Sequence, residues 1–285
     1  MPLSCARYRY IGIKWLIIFG MDESETKLSL ARLFDLSEEC EERNYLTHSF
    51  FFGFSELSAL LPLLGNGREI NGVPYLLYGG EKESERKLFV FLPPYLNEDE
   101  FLRQEASEES LLTCLHIYPK AEKFAFPLSH RDYLGALLSL GIERKCIGDI
   151  YVGEKEAYAY VISSLTAFIK ENLKTVGRNS VKVDALSPFS CPLANEFVET
   201  RLPVSSLRLD CLLAAAFKIS REEAKKQIEA GNVFLTSSSC KSDALLKEGE
   251  HVSLQGKGKF IYVREDGTTK KGKIVAIIKT SKQKR

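Results

Sequence analysis

With 285 residues, 45% of them hydrophobic and 27% charged, the chain has the make-up of a soluble globular protein with room for two or three domains. Its formal net charge of +1 hides an uneven distribution: residues 205–285 hold 17 Lys+Arg against 9 Asp+Glu, whereas residues 1–204 hold 22 against 29. Seven scattered cysteines, an odd number without a C-x-x-C pair, argue against a disulfide framework or a zinc site and for a reducing cytosol.

The first twenty residues, MPLSCARYRYIGIKWLIIFG, carry three basic and no acidic side chains. Their apolar run is too short to span a bilayer, and no small-residue cleavage site follows it. Met21 opens an acidic, helix-compatible stretch, so residues 1–20 read as an extension upstream of a natural start at Met21, with a short targeting peptide as the alternative. No later segment approaches a transmembrane helix, and the expected location is the cytoplasm.

Residues 21–119 form the first expected domain, a small α+β unit. LSLARLFDLSEECEERN places Leu28, Leu30, Leu33, Phe34 and Leu36 near one helical face. HSFFFGFSELSALLPLL reads as a strand or turn leading into a helix stopped by Pro62. VPYLLYGG and KLFVFLPPYL read as strands bounded by Gly-Gly and Pro-Pro, with the polar turn EKESER between them. Nothing in this stretch has ligand spacing.

Residues 120–203 form the second expected domain. EKFAFP reads as a short strand, SHRDYLGALLSLG as a helix, IGDIYV and AYAYVI as strands about the turn GEKE, SSLTAFIKENL as a helix and SVKVDAL as a closing strand. That order, β-α-β-β-α-β, is the ferredoxin-like (RRM-like) plan used by many RNA-binding folds and by many unrelated functions. Ser129 is placed to cap the first helix, with Asp132 three residues on and Gly141 at its end. The paired aromatic motifs of RNA-recognition sheets are absent, although Tyr151, Tyr158 and Tyr160 offer candidate stacking faces beside their ordinary reading as core or surface filler. Cys146 and Cys211, beside or within helical patterns, fit small buried hydrophobes. EFVETRLPVSS then reads as a connector, with Pro203 marking a boundary near residues 201–205.

Residues 204–285 carry the strongest signal. Leu207, Leu209, Leu212, Leu213, Ala216 and Phe217 make the apolar stripe of one helix, with Arg208 facing away. After the turn KIS, Ser220 caps a second helix and Glu223 completes an S-x-x-E capping box; Ala224, Ile228 and Gly231 supply its buried face and its stop. Arg221 and Lys225 share a face of that helix, with Lys226 adjacent. A cation in the first turn opposes the helix dipole, so Arg221 argues for an anionic partner, and the helix N-terminus itself presents N–H groups suited to phosphate. NVFL, HVSLQ, KFIYV and KIVAIIK follow as short strands separated by Gly249, Gly256 with Gly258, and Gly267, with Lys257 and Lys259 alternating with glycines. One lysine alone is as well explained as a solvated face. Ten basic residues in the last 35, against Glu265 and Asp266 alone, favour a polyanion. The candidate RNA contacts are Arg208, Lys218, Arg221, Lys225, Lys226, Lys257, Lys259 and Lys273, with His130, Arg131, Arg144 and Lys145 as secondary candidates.

This terminal arrangement resembles the S4 RNA-binding domain. The matching residues are Arg208-Leu209-Asp210, Ile219-Ser220-Arg221, Ala224, Ile228, Gly231, Val233 and Glu248-Gly249-Glu250. Thr236 stands where the family usually has Asn, and Glu250 where it has Asp. A narrower likeness is to the YlmH family of bacterial S4-domain proteins. It rests on His130-Arg131-Asp132, Leu134-Gly135-Ala136, Leu140-Gly141-Ile142, Gly148-Asp149-Ile150 and the later GKGKF, and extends with less specificity from Met21 to about Lys279. Gln255 and Lys259 stand where that family has Arg. The resemblance implies a monomeric, non-enzymatic, cofactor-free factor of ribosome-associated quality control. Such a factor binds the large ribosomal subunit that still carries peptidyl-tRNA, sets its S4 module on ribosomal RNA and tRNA, and assists tailing of the arrested chain. Family members also lie among cell-division genes.

Two other readings stay open on the residues. S4 modules are joined to RNA-modifying enzymes such as pseudouridine synthases, which also contain Arg-Leu-Asp with a catalytic aspartate; here no long catalytic domain follows Asp210. A methyltransferase would need a Gly-rich loop after a strand, and the kinase-like His130-Arg131-Asp132 lacks its glycine loop and Asp-Phe-Gly. His48, His116, His130 and His251 show no metal-ligand clustering. The third class is a protein–protein adaptor linked to cell division, whose acidic body binds the partner; its association would be insensitive to salt.

Overall fold

The computed structural model describes residues 23–65, 67–107, 110–193, 197–235, 240–255 and 257–281. The readings placed on residues 1–20, Met21, Thr236 and Gly256 lie outside them. In chain order the first elements are α1 (Glu23–Arg43), β1 (Thr47–His48), α2 (Phe54–Leu64), β2 (Glu69–Ile70), β3 (Val73–Tyr78), β4 (Leu88–Phe91) and α3 (Glu98–Glu105). Then come β5 (Leu112–Pro119), α4 (His130–Ser139), β6 (Ile147–Val152), β7 (Ala157–Ile162), α5 (Thr166–Asn172), β8 (Thr175–Val176) and β9 (Asn179–Leu186). The last are β10 (Phe197–Val204), α6 (Leu209–Phe217), α7 (Arg221–Glu229), β11 (Val233–Leu235), β12 (Glu250–Leu254), β13 (Gly258–Thr268) and β14 (Ile274–Ser281). Helices and antiparallel sheets are mixed along the chain, which is the expected α+β class.

One compact unit comprises residues 31–53 and 66–196. It contains a four-stranded sheet, β1-β4-β3-β2, and a five-stranded sheet, β6-β7-β5-β9-β8. In the five-stranded sheet the period of two sends Leu115 and Ile117 of β5, Ala157, Ala159 and Val161 of β7, and Val181 and Val183 of β9 to one face. There they meet Tyr133 and Leu137 of α4 and Ile169 of α5 in a single core. Phe101 of α3 packs with Phe51, Tyr78, Leu88, Val90 and Leu112 in a second core. Two glycines are demanded by close approach. At Gly80, where φ is +91°, an added Cβ would lie 2.3 Å from the Tyr160 ring, and at Gly148 it would lie 2.9 Å from the Phe51 ring.

Several elements differ from the sequence reading. The strand that opens the five-stranded sheet is β5, not EKFAFP. Glu122–Phe124 is a 3-10 turn and the residues after it form no strand. β5 lies between β7 and β9, so its pairing energy is long-range and leaves no local turn signal. Pro62 does not end α2, which continues to Leu64. α3 was not foreseen, although its Asn97-x-x-Glu100 capping box was in plain view: the Glu100 N–H donates to Asn97 Oδ1 at 2.9 Å and the Asn97 N–H to Glu100 Oε2 at 3.2 Å.

The other compact unit comprises the described parts of residues 1–30, 54–65 and 197–285. Its sheet runs β10-β14-β13-β12-β11. The segment read as a connector is β10, paired with β14 from end to end. Pro203 is tolerated there because β10 is an edge strand. One face of the sheet presents Val252, Leu254, Phe260, Tyr262, Ala276 and Ile278, which close a core with Leu209, Leu212, Leu213, Ala224 and Ile228 of α6 and α7. Alternation puts His251, Ile261 and Ile277 on the opposite face. α2 packs against β11, and its Phe54 ring lies 6.4 Å from that of His251.

Candidate nucleic-acid interface

α6 and α7 form where the apolar spacing places them, and their ends are set by specific groups. Ser220 Oγ accepts the Glu223 N–H at 3.0 Å, but the Glu223 carboxylate accepts from Gln227 Nε2 at 2.7 Å, so only half of the expected capping box forms. Gly231, at φ +74°, ends α7 with its N–H on the Ile228 carbonyl. Between the helices Lys218 takes the left-handed conformation (φ 54°, ψ 45°) and its N–H donates to the Ala214 carbonyl.

Asp210 organises the cations at this end. It is 0% exposed, and its carboxylate accepts from Arg208 Nε at 3.3 Å, Arg208 Nη2 at 3.4 Å and Arg221 Nε at 2.9 Å. Burial alone would raise its pKa. The hydrogen bond from Arg221 and the charges of both guanidiniums outweigh that, and the carboxyl sits below its ordinary value. The first-turn Arg221 therefore has an anion inside the fold, which removes its cost against the helix dipole as an argument for an anionic partner. Two cations share one carboxylate, so a net positive charge remains, and about half of the Arg221 side-chain surface stays open to solvent. The same burial removes Asp210 from reach of any substrate carbon, as a synthase-like nucleophile would need.

Lys218, Lys225 and Lys226 are exposed, and the two α7 lysines carry no ion pair among the described residues. Asn232 beyond α7 accepts the Gln255 N–H on its carbonyl, so the turn with exposed Lys257 lies beside the exit of α7. Lys259 precedes core-facing Phe260 on β13 and so projects to the sheet face away from α6 and α7. Lys273 is exposed in the turn at the far end of β13, whose eleven residues span roughly 30 Å. The structure thus groups Arg208, Lys218, Arg221, Lys225, Lys226 and Lys257 near the helix pair and sets Lys259 and Lys273 apart. Exposed Lys270 and Lys271 accompany Lys273 and were visible in the sequence as a paired lysine turn.

The secondary candidates are mostly engaged elsewhere. Arg144 Nη1 donates to the Ile147 and Gly148 carbonyls. Lys145 Nζ pairs with Glu143 at 2.8 Å and sits 4.6 Å from the Phe50 ring centroid. Desolvation, with the Arg144 charge, lowers the His130 pKa against the pull of Glu85, so its ring offers hydrogen bonds rather than charge. Arg131 is exposed at the start of α4. Asp132 accepts from the Ser129 N–H at 2.7 Å and from Ser129 Oγ at 2.8 Å, which caps α4. Asp149 accepts the N–H groups of Glu85 at 2.6 Å and Arg86 at 3.2 Å, a loop-fixing role. Of the three candidate tyrosines Tyr158 and Tyr160 are buried and Tyr151 is half-buried. Tyr160 is 0% exposed with its hydroxyl on the Pro188 carbonyl, Tyr158 stacks on His116 with ring centroids 4.6 Å apart, and Tyr151 bonds Asp149. Cys240 donates to the Val233 carbonyl, and burial pushes its thiol up to about 12. Among the described residues no helix is long and apolar enough to cross a membrane, and no cluster of His, Cys, Asp and Glu could hold a metal ion.

Residues 108–188 match the family model described as "Putative RNA-binding domain in YlmH". The chain is 30% identical over 199 residues to the Ribosome-associated protein quality control protein P2 of Bacillus subtilis (strain 168), covering 68% of this chain and 73% of that protein. A solved structure, the cell division protein ylmH from Streptococcus pneumoniae, aligns with TM-score 0.41 and 20% identity over 63% of this chain and 94% of that one.

Proposed function

We propose, on the premise that the chain belongs to the YlmH family, that it is a non-enzymatic RNA-binding protein of the cytoplasm that associates with the ribosome. It grips ribosomal RNA and tRNA on the large subunit and serves quality control of stalled nascent chains. In this reading β10 to β14 with α6 and α7 are an S4 module, and the β5–β9 sheet with α4 and α5 is a ferredoxin-like unit. The sheet order β6-β7-β5-β9 supports the second assignment. The observation that carries the reading is the cation group around Asp210: Arg208 and Arg221 are fixed by a buried carboxylate, and free Lys225 and Lys226 stand on the same helix pair. Guanidiniums held in place lose little entropy on meeting a phosphate, and each phosphate neutralised releases counterions.

The geometry also decides how to test it. Reversing Arg221 would set a carboxylate against buried Asp210 and confound folding with binding. Lys225→Glu, Lys226→Glu and Lys257→Glu together touch only exposed side chains. The triple variant should melt like the wild type, yet lose co-sedimentation with purified large subunits and show a shallower dependence of affinity on salt. Undiminished co-sedimentation would refute the assignment.

A further inference from the structure

The FAF alternation that reads as a strand in the sequence has no sheet to join. Phe124 is 75% exposed and Phe126 55%. Scattered exposed apolar side chains are ordinary, but this segment is fastened. Asn179, 5% exposed, spends its whole side-chain amide on the backbone of Phe126: the Phe126 N–H donates to Oδ1 at 3.0 Å and Nδ2 donates to the Phe126 carbonyl at 2.8 Å. Lys155 Nζ donates to the Glu122 carbonyl at 3.1 Å, and the Lys120 N–H donates to the Ser180 carbonyl at 2.9 Å. A buried amide thus fixes the backbone of Phe126, and the bonds to Glu122 and Lys120 fasten the turn that carries Phe124.

Their surroundings are cationic. Lys123 Nζ lies 5.9 Å from the Phe124 ring centroid. Lys155 reaches the same turn, Lys120 is exposed at its entry, and exposed Arg178 directly precedes Asn179. Glu122, Glu154 and Glu156 are the nearby acids in sequence, against these four bases, and Glu156 is engaged by His116 Nε2 at 2.6 Å.

We propose that Phe124 and Phe126 form a stacking site for unpaired RNA bases, with Lys120, Lys123, Lys155 and Arg178 holding the flanking phosphates. The proposal rests on the RNA-binding reading above and names a second contact surface, in the unit that lacks α6 and α7. Every base has a π-face, so aromatic rings interleaved with cations bind single strands with little regard for sequence. A backbone fixed before binding avoids part of the ordering cost that a loose loop would carry.

The test uses the full chain and fluorescein-labelled single-stranded oligoadenylate, compared by anisotropy with an abasic ribose-phosphate oligomer of equal length. Phe124→Ala with Phe126→Ala should weaken oligoadenylate binding about five-fold or more. It should leave abasic-oligomer binding and the melting temperature unchanged, and Phe124→Tyr with Phe126→Tyr should retain wild-type binding. The site is overturned if the alanine pair binds oligoadenylate as the wild type does, if both oligomers weaken equally, or if the wild-type chain does not prefer oligoadenylate. Those outcomes leave the lysine triple and its co-sedimentation result intact. Failure of that triple counts against the α6–α7 reading alone.

Discussion

Asp210 shows how one side chain can have a sequence signature and a structural duty that only the fold explains. The Arg-Leu-Asp tripeptide was legible, but its reason was not. The carboxylate sits in the first turn of α6, and its third hydrogen bond comes from Arg221 on another helix. No window of local sequence contains that pairing. Asp210→Asn should cost about 1–3 kcal/mol, since a neutral amide no longer offsets the two guanidinium charges that face it. The pH dependence has a definite sign. The folded carboxyl lies below its ordinary value of 3.8, so its contribution is complete above that value and disappears as pH falls through the folded pKa. Thermal melts from neutral to acid pH should therefore show wild type and Asp210→Asn separated at neutrality and converging below about pH 4. Gly80 gives a harsher expectation. An alanine there meets the Tyr160 ring and a disfavoured backbone together, and Gly80→Ala should lower the denaturation midpoint by at least about 3 kcal/mol of stability.

At the scale of elements, the sequence was most readable where local rules suffice. Ser129 with Asp132, Ser220, Gly141 and Gly231 mark helix ends by chemistry confined to a few residues. The cores of β12, β13 and β14 followed from alternation and glycine punctuation. β5 and β10 escaped because strands are stabilised by distant partners, and β10 looked like a linker through its proline. The turn between α6 and α7 is a case where local rules were broken. Helices commonly end on glycine in the left-handed region, yet Lys218 occupies it. A lysine there costs about 1 kcal/mol. Lys218→Gly should hold or raise stability by up to about 1 kcal/mol in urea denaturation while weakening RNA binding several-fold. A variant that binds RNA as well as the wild type would show the lysine to be incidental.

On the scale of the molecule, the division of charge was plain from the sequence, and the division of structure was not. α2 belongs with β11 although residues 66–196 of the other unit lie between them. Leu57 and Leu60 of α2 are buried, and the partners of a helix's apolar side chains cannot be named from a helical period. A fragment of residues 197–285 would keep α6 and α7 over one sheet face but leave β11 and His251 without α2. It should melt lower than the same fragment with residues 54–65 attached through a flexible linker, and should bind a hydrophobic dye more strongly. The interleaving also sets an order of events during synthesis. Every segment of the 31–196 unit has emerged before β11 is made, whereas α2, translated early, must wait with its greasy side uncovered until the carboxyl-terminal strands arrive. A chain halted in that interval displays an unsheltered helix, and a nascent-chain crosslinker placed at Leu60 would find chaperones there until the final strands are released.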